Sequence, residues 1–574
     1  MEHLKLYQKW LDDENIDEKT KEELRTIKDD EEEIQDRFYK QLAFGTAGLR
    51  GKIGAGTNRM NRYIIKIATQ GLAEVIKARG KEAMDRGVAI AYDVRHYSDE
   101  FAKTAALVLA ESGIKVYLFE GIRPTPELSY TIRKLNTMSG IVVTASHNPK
   151  DYNGYKVYWK EGSQILSDIA EEITEEIDKI TDFSKVKEMD EKEAKERGLL
   201  NIIGKEIDDD YIEMVKGLSL RDDIDKDIKI IYTPLNGTGN KPVRRVLKER
   251  GFKNVIVVPE QENPDPDFTT VGYPNPEDIK AFEYSEKLGE KENADILVAT
   301  DPDCDRVACM VKDDNGKYAS LNGNQVGAIL INYILESRKE QNSIPENGAI
   351  VKSIVTGDLG KTIAKEYGVE TIDTLTGFKN ICGKANEFER TKEYDFIFGY
   401  EESIGYVYGT KVRDKDAVIS SMLLAEAAGY YKSQNRTLID VLNDIFEKHG
   451  YYSENLFSLV LEGIEGQKRI KRMMEVYRKE YLKEIKGAKL SKFIDYQIQT
   501  ETDFVTNETN KIDINPTNGL KFMLDDESWY AIRPSGTEPK IKIYIYAKGD
   551  TLEKAEEKVE NIKLAVMEKL NSVE

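Results

Sequence analysis

Asp301, Asp303 and Asp305 stand at every second position of the run Asp301-Pro-Asp-Cys-Asp-Arg306. Carboxylates this dense repel one another until something neutralises them, and a tight loop aims alternate side chains at one point, so the run points to a hard divalent cation. A calcium EF-hand is excluded by position, since its sixth residue would be Arg306 instead of glycine and its twelfth Lys312 instead of glutamate. Magnesium, which takes few carboxylates and completes its shell with phosphate oxygens, fits better. Ser146, in Thr144-Ala-Ser-His-Asn-Pro149, offers a hydroxyl on a rigid strand end, and Lys156 is placed to move a proton or stabilise charge near it. Arg533-Pro-Ser-Gly-Thr-Glu-Pro-Lys540 unites a planar cation, two hydroxyls and a glycine through which backbone N–H groups approach an anion, the composition of a phosphate cradle. In Gly399-Tyr-Glu-Glu-Ser403, a fixed Glu401 carboxylate beside Ser403 suits hydrogen bonds from neighbouring sugar hydroxyls.

Each of these loops follows a short apolar run: residues 140–143, 295–299, 394–398 and 529–532. In open α/β sheets ligands collect beyond the carboxyl ends of strands, so buried strands are expected to deliver all four loops. Segments of helical period, such as residues 63–78, alternate with the apolar runs and predict α/β layers. Leu4, Tyr7, Trp10 and Leu11 fall on one helical face of a charged N-terminal arm, and the charge-rich stretch 183–210 reads as a connection. Asn322-Gly323 opens a helical segment, and residues 438–481 read as helical. The predicted division is a helical arm (1–42), a serine-bearing unit (43–206), a carboxylate-bearing unit (207–320), a third unit (321–440), a helical connection (441–485) and a C-terminal unit (486–574).

At 574 residues the chain is too long for a single core. Its 84 basic against 104 acidic residues, a formal charge of -20, exclude a general nucleic-acid backbone binder. Three cysteines, Cys304, Cys309 and Cys382, are too few for a disulfide framework or a four-cysteine zinc site and suit a reducing cytoplasm. The charged N-terminus lacks a signal-peptide core, and no stretch approaches the ~20 apolar residues of a membrane span, so a soluble cytoplasmic protein without membrane partners is expected. Two apparent nucleotide motifs fail: in Gly357-Asp-Leu-Gly-Lys-Thr362 the first glycine stands too close to the Gly-Lys pair, and Gly54-Ala-Gly56 lacks a third glycine.

Taken in order, FGTAGLRG, TASHNP, DPDCDR, GYEES and RPSGTEPK resemble the motif set of the α-D-phosphohexomutase superfamily over roughly residues 40–574. The form of the third motif is most similar to the bacterial phosphoglucomutase branch related to phosphopentomutases. The resemblance implies an α/β fold of four domains around a central cleft, three similar α/β domains with mixed sheets and a smaller C-terminal α+β domain. It implies a phosphoserine at Ser146, magnesium on Ser146, Asp301, Asp303 and Asp305, and His147, Lys156 and Arg50 as the acid, base and charge-stabilising groups, with no choice made among them. Arg306, Lys379, Glu401 and Ser403 would hold the substrate, and Arg533, Ser535, Gly536, Thr537 and Lys542 its distal phosphate. The implied reaction interconverts glucose 1-phosphate and glucose 6-phosphate, with glucose 1,6-bisphosphate as intermediate and activator. Mannose or pentose phosphates are the alternative substrates. A phosphosugar-binding regulatory protein is the non-enzyme alternative, and it leaves Ser146 and the aspartates without a role. Two positions depart from the pattern: Cys304, where relatives commonly carry glycine or alanine, and Tyr400, in place of a glycine, which is expected to narrow the sugar pocket.

Overall fold

The computed structural model describes all residues except 1, 46–47, 314, 462, 536–539 and 574. Four sheets organise the chain. The first has six strands in the spatial order Gly48–Lys52, Tyr152–Trp159, Ser139–Val143, Val88–Tyr92, Val116–Phe119 and Leu200–Ile203. The last four are mutually parallel, whereas Tyr152–Trp159 runs antiparallel to both of its neighbours. Ser139–Val143 is buried along its whole length, as expected of a near-continuous apolar strand at the centre of a sheet. Helices Arg62–Ala78, Ser98–Glu111 and Thr125–Leu135 pack on this sheet through their apolar residues.

The second sheet orders Tyr318–Leu321, Val307–Lys312, Ile296–Thr300, Lys229–Thr233 and Asn254–Val257, and the third orders Glu370–Thr374, Gly348–Ser353, Asp395–Glu401 and Gly405–Tyr408. Both mix parallel and antiparallel pairs. One apolar core runs continuously through these two sheets and takes in Trp529, Tyr544 and Tyr546 from the fourth. The fourth sheet is antiparallel and eight-stranded, covered by helices Gly463–Lys479 and Leu552–Asn571. The α/β architecture of three mixed-sheet units and a smaller C-terminal unit is thus present.

Two local expectations change. The stretch expected to be helical throughout contains a ten-residue strand, Tyr451–Val460, between helices Leu438–His449 and Gly463–Lys479. Its own side chains alternate only weakly in polarity, and pairing along its full length with Lys540–Gly549 overrides local preference. The charged connection 183–210 contains the edge strand Leu200–Ile203, half exposed and so lacking the apolar run of a central strand. The arm folds as three short helices, Glu2–Asp12, Glu18–Thr26 and Glu31–Phe38, whose Tyr7, Trp10, Leu24 and Phe38 form a core of their own with Tyr63. Among the described residues no helix is long and apolar enough to cross a membrane.

Candidate active site

Ser146 follows the central strand Ser139–Val143 and adopts a left-handed backbone, φ 53°. That conformation is unfavourable by about 1–2 kcal/mol for a residue with a Cβ, so the surroundings must impose it. Arg95, fully buried, does so. Its guanidinium donates to the carbonyl oxygens of Ser146 and Asn148, and to those of Pro149 at 2.8 Å and Tyr152 at 3.1 Å. Asp93 holds the guanidinium at 3.2 Å and accepts the Thr144 hydroxyl at 2.6 Å. The Ser146 side chain, nearly buried, donates its hydroxyl to Asp301 Oδ2 at 2.7 Å and lies 3.2 Å from His147 Nδ1.

The three aspartates converge as the spacing predicts, with ligand atoms all within 4.8 Å of one another. Each carboxylate has one oxygen fixed by protein donors. Asp301 Oδ1 accepts the Asp305 and Arg306 N–H groups at 3.1 and 3.0 Å. Asp303 Oδ2 accepts the Thr125 hydroxyl at 2.8 Å and Lys156 Nζ at 3.0 Å, and Asp305 Oδ2 lies 3.0 Å from Lys415 Nζ. The other oxygens of Asp303 and Asp305 are buried and make no hydrogen bond to any described residue. Buried carboxylate oxygens without a hydrogen bond in a cluster this tight suit a cation position, and the all-oxygen donor set fits a hard divalent ion. Burial and the two neighbouring carboxylates push Asp301 well up, and burial followed by Asp303 raises Asp305. Burial works against ionisation of Asp303 too, but Lys156 and its other donors outweigh it and hold this carboxyl below the usual range.

Cations ring the cluster. Arg50 pairs with Gly154 and Gly48 with Lys156 across two antiparallel strands, which puts Arg50 and Lys156 on one face. No side chain fits at Gly48, where a Cβ would stand 1.9 Å from the Tyr155 carbonyl oxygen. Arg306 is 3.3 Å from Glu277 and bridges by its backbone to Gly405, so it links the carboxylate loop to the third sheet. Burial first, then the charges of Arg306 and Arg50, push His147 down to about 2, which leaves the imidazole neutral. Cys304 adopts φ 53°, the conformation that makes glycine natural at this position.

Glu401 ends the strand Asp395–Glu401, and its Oε1 accepts the Gly377 N–H at 2.8 Å. Burial, then the adjacent Glu402, raises its carboxyl to about 7. Ser403 sits in the following turn, and Lys379 lies at the start of helix Phe378–Thr391, where burial lowers its amine. Tyr400 does not narrow the pocket. Strand alternation turns its ring into the core, against the backbones of Gly327 and Gly360, and it is 1% exposed. On the fourth sheet Arg533 and Lys542 are cross-strand partners, and the Ser535 N–H donates to the Lys540 carbonyl oxygen at 2.8 Å to close the loop. Gly536 and Thr537 lie outside the described residues. Tyr544, on the strand Lys540–Gly549, lies within the field of Glu402, Arg533 and Glu401.

Three contributors escaped the sequence reading. Arg95 carried a signal, because Tyr92-Asp-Val-Arg95 ends a strand as the recognised loops do. Lys415, buried between Asp305 and Asp414, lies in the charge-alternating run Arg413-Asp-Lys-Asp416. Thr125 carried none, since its partner belongs to another sheet.

Profiles of the phosphoglucomutase/phosphomannomutase α/β/α domains I, II and III match residues 41–183, 209–316 and 322–449, and that of the C-terminal domain matches residues 473–564. The phosphoglucomutase of Staphylococcus aureus is 38% identical over 516 residues, 90% of this chain and 91% of that protein. That of Staphylococcus epidermidis is 37% identical over 528 residues, 92% and 94% of the two chains. The open form of the Paramecium phosphoglucomutase parafusin superposes with a TM-score of 0.69 over 93% of this chain and 96% of that one, at 18% identity. A Burkholderia thailandensis phosphoglucomutase/phosphomannomutase family protein gives 0.67 over 93% and 99%, also at 18%. These two show the common fold. The chain belongs to the phosphoglucomutase/phosphomannomutase family.

Proposed function

We propose that this protein interconverts glucose 1-phosphate and glucose 6-phosphate by carrying a phosphoryl group on Ser146 Oγ. It is a phosphohexomutase, an isomerase. The observation that carries the reading is the Ser146 hydroxyl set 2.7 Å from Asp301, at the edge of a three-carboxylate cluster with two orphaned oxygens. Phosphoryl transfer needs positioning and neutralised charge more than elaborate covalent chemistry, and this cluster supplies both. Magnesium, held by Asp301, Asp303, Asp305 and the oxygen on Ser146, would supply charge neutralisation at the transferred group.

The chain's residues do the rest. With Ser146 phosphorylated, the free hydroxyl of the bound sugar phosphate attacks phosphorus, its proton leaves to a nearby base, and the bond to Oγ breaks. The glucose 1,6-bisphosphate so formed turns over in the cleft, and Oγ takes the other phosphoryl group. The neutral His147 imidazole, 3.2 Å from Oγ, and Lys156 Nζ, 3.0 Å from Asp303, can hold or move the proton, while Arg50 and Arg306 oppose the charge. Glu401, Ser403 and Lys379 orient the sugar, and Arg533, Ser535, Gly536, Thr537 and Lys542 grip the phosphate that is not reacting. Labour follows the proposed units: 43–206 carries the serine, 207–320 the carboxylates, 321–440 the sugar loop and 486–574 the distal clamp. Three buried, unpaired cysteines suit a cytoplasmic setting.

The test is Ser146→Ala. Turnover of glucose 1-phosphate with a trace of glucose 1,6-bisphosphate should vanish while circular dichroism stays wild type, and intact-mass analysis should find a serine-borne phosphate only in the wild type. Near-wild-type turnover by the variant would overturn the reading. Mannose 1-phosphate and ribose 1-phosphate in the same assay should give lower kcat/KM.

A further inference from the structure

We propose that Thr125 is a positioning residue for metal binding, whose hydroxyl fixes which oxygen of Asp303 is left to the cation. The inference rests on the reading of Asp301, Asp303 and Asp305 as the metal site. Thr125 opens helix Thr125–Leu135 of the first unit and is fully buried. It grips Asp303, on the second unit, at two points: its N–H donates to the Asp303 carbonyl oxygen at 2.9 Å and its hydroxyl donates to Oδ2 at 2.8 Å.

The three carboxylates are oriented from three different places. Asp301 is held by amides of its own loop, Asp305 by Lys415 of the third unit, and Asp303 by Thr125 and Lys156 of the first. Rotation of the Asp303 carboxylate would exchange its oxygens. Lys156 does not prevent this, because an ammonium on a flexible stem can follow either oxygen. The Thr125 hydroxyl is anchored by a helix terminus that is itself hydrogen bonded to the Asp303 backbone, so its donor direction is fixed. It holds Oδ2 and leaves Oδ1 buried and unpartnered among the described residues. Groups that orient metal ligands from behind typically change metal affinity by about 10–100-fold when removed.

The experiment measures magnesium binding directly, by isothermal titration of the metal-stripped full-length protein without sugar, beside kcat and KM for glucose 1-phosphate. Thr125→Val keeps the shape and the backbone N–H but deletes the donor, and it should weaken magnesium binding by about ten-fold or more. KM for the sugar should stay within about two-fold, since Thr125 acts only on the metal ligand. Thr125→Ser keeps the donor and should restore wild-type affinity. If the valine variant fails to fold, Thr125→Ala takes its place against Thr125→Ser. Wild-type magnesium affinity in the donor-free variant, or equal loss in the serine variant, would overturn the proposal. A wild-type protein that takes up no magnesium would overturn the site reading and this inference together.

Discussion

At the scale of single residues, the candidate site is built from side chains whose chemical type limits what they can hold. Arg533 is the plainest case, a planar cation at the end of strand Trp529–Pro534 with Lys542 directly across. A guanidinium makes forked, charge-assisted hydrogen bonds to phosphate that an ammonium does not reproduce. In the proposed cycle the substrate presents either end to Ser146, so Arg533→Ala should weaken glucose 1-phosphate and glucose 6-phosphate alike. Losing a hydrogen bond to a charged group is worth about 1.5–3 kcal/mol, so kcat/KM should fall roughly ten-fold to more than a hundred-fold. Steady-state kinetics in both directions decides it, and a defect confined to one direction would refute the shared clamp. Tyr400 carries the complementary lesson: a residue beside a site residue in sequence faces the opposite side of the strand.

At the scale of elements, helix and strand ends hold the site. Asp416 caps helix Ala417–Lys432 by accepting the Ile419 N–H at 2.9 Å, and it accepts the Tyr211 hydroxyl at 2.8 Å. Burial raises its carboxyl from 3.8 to about 7. A carboxyl whose folded value lies above its unfolded one contributes stability that is complete below the unfolded value and is lost as pH rises through the folded one. Asp416 should therefore stabilise the fold less at pH 8 than at pH 5. Asp416→Asn cannot titrate; its one carbonyl oxygen keeps the Ile419 N–H, and its amide N–H faces the Tyr211 oxygen, which then accepts, so the drop in urea midpoint from pH 5 to pH 8 should shrink. An unchanged drop would show that Asp416 ionises without penalty.

At the scale of the whole molecule, the proposed distal clamp stands on the fourth sheet, which is seated against residues 354–358. Trp529 Nε1 donates to Asp358 Oδ2 at 2.8 Å, the Lys521 ammonium lies 3.9 Å from the Trp529 ring centroid, and Lys521 Nζ donates to the Ile354 carbonyl oxygen at 2.9 Å. Tyr546 stacks on Trp529 and covers Gly357 so closely that a Cβ there would meet its ring at 2.3 Å. Trp529 shares a strand with Arg533, so the seat fixes the strand on which the proposed clamp stands. Trp529→Ala should destabilise the protein by about 3–5 kcal/mol, as loss of a buried aromatic does, and raise KM for both sugar phosphates. Calorimetry with kinetics checks it. A variant with lower Tm and unchanged KM would mean that the interface holds the sheet without aiming Arg533.

What the sequence determined by itself was the chemistry and its local framing. Alternating aspartates, a serine after a buried strand and a cation-glycine loop declare themselves through residue type and spacing, and central strands through their unbroken apolar runs. The strand Tyr451–Val460 and the edge strand Leu200–Ile203 were not readable, because what makes them strands is a partner distant in the chain. The same holds for Arg95, Thr125 and Lys415. Arg95 meets the serine loop some fifty residues away, and Thr125 and Lys415 reach carboxylates on another sheet. Only the tertiary structure decided which oxygen of Asp303 and of Asp305 is held and which is left without a hydrogen bond, because no spacing along one loop specifies the donors Thr125, Lys156 and Lys415 that arrive from elsewhere in the chain.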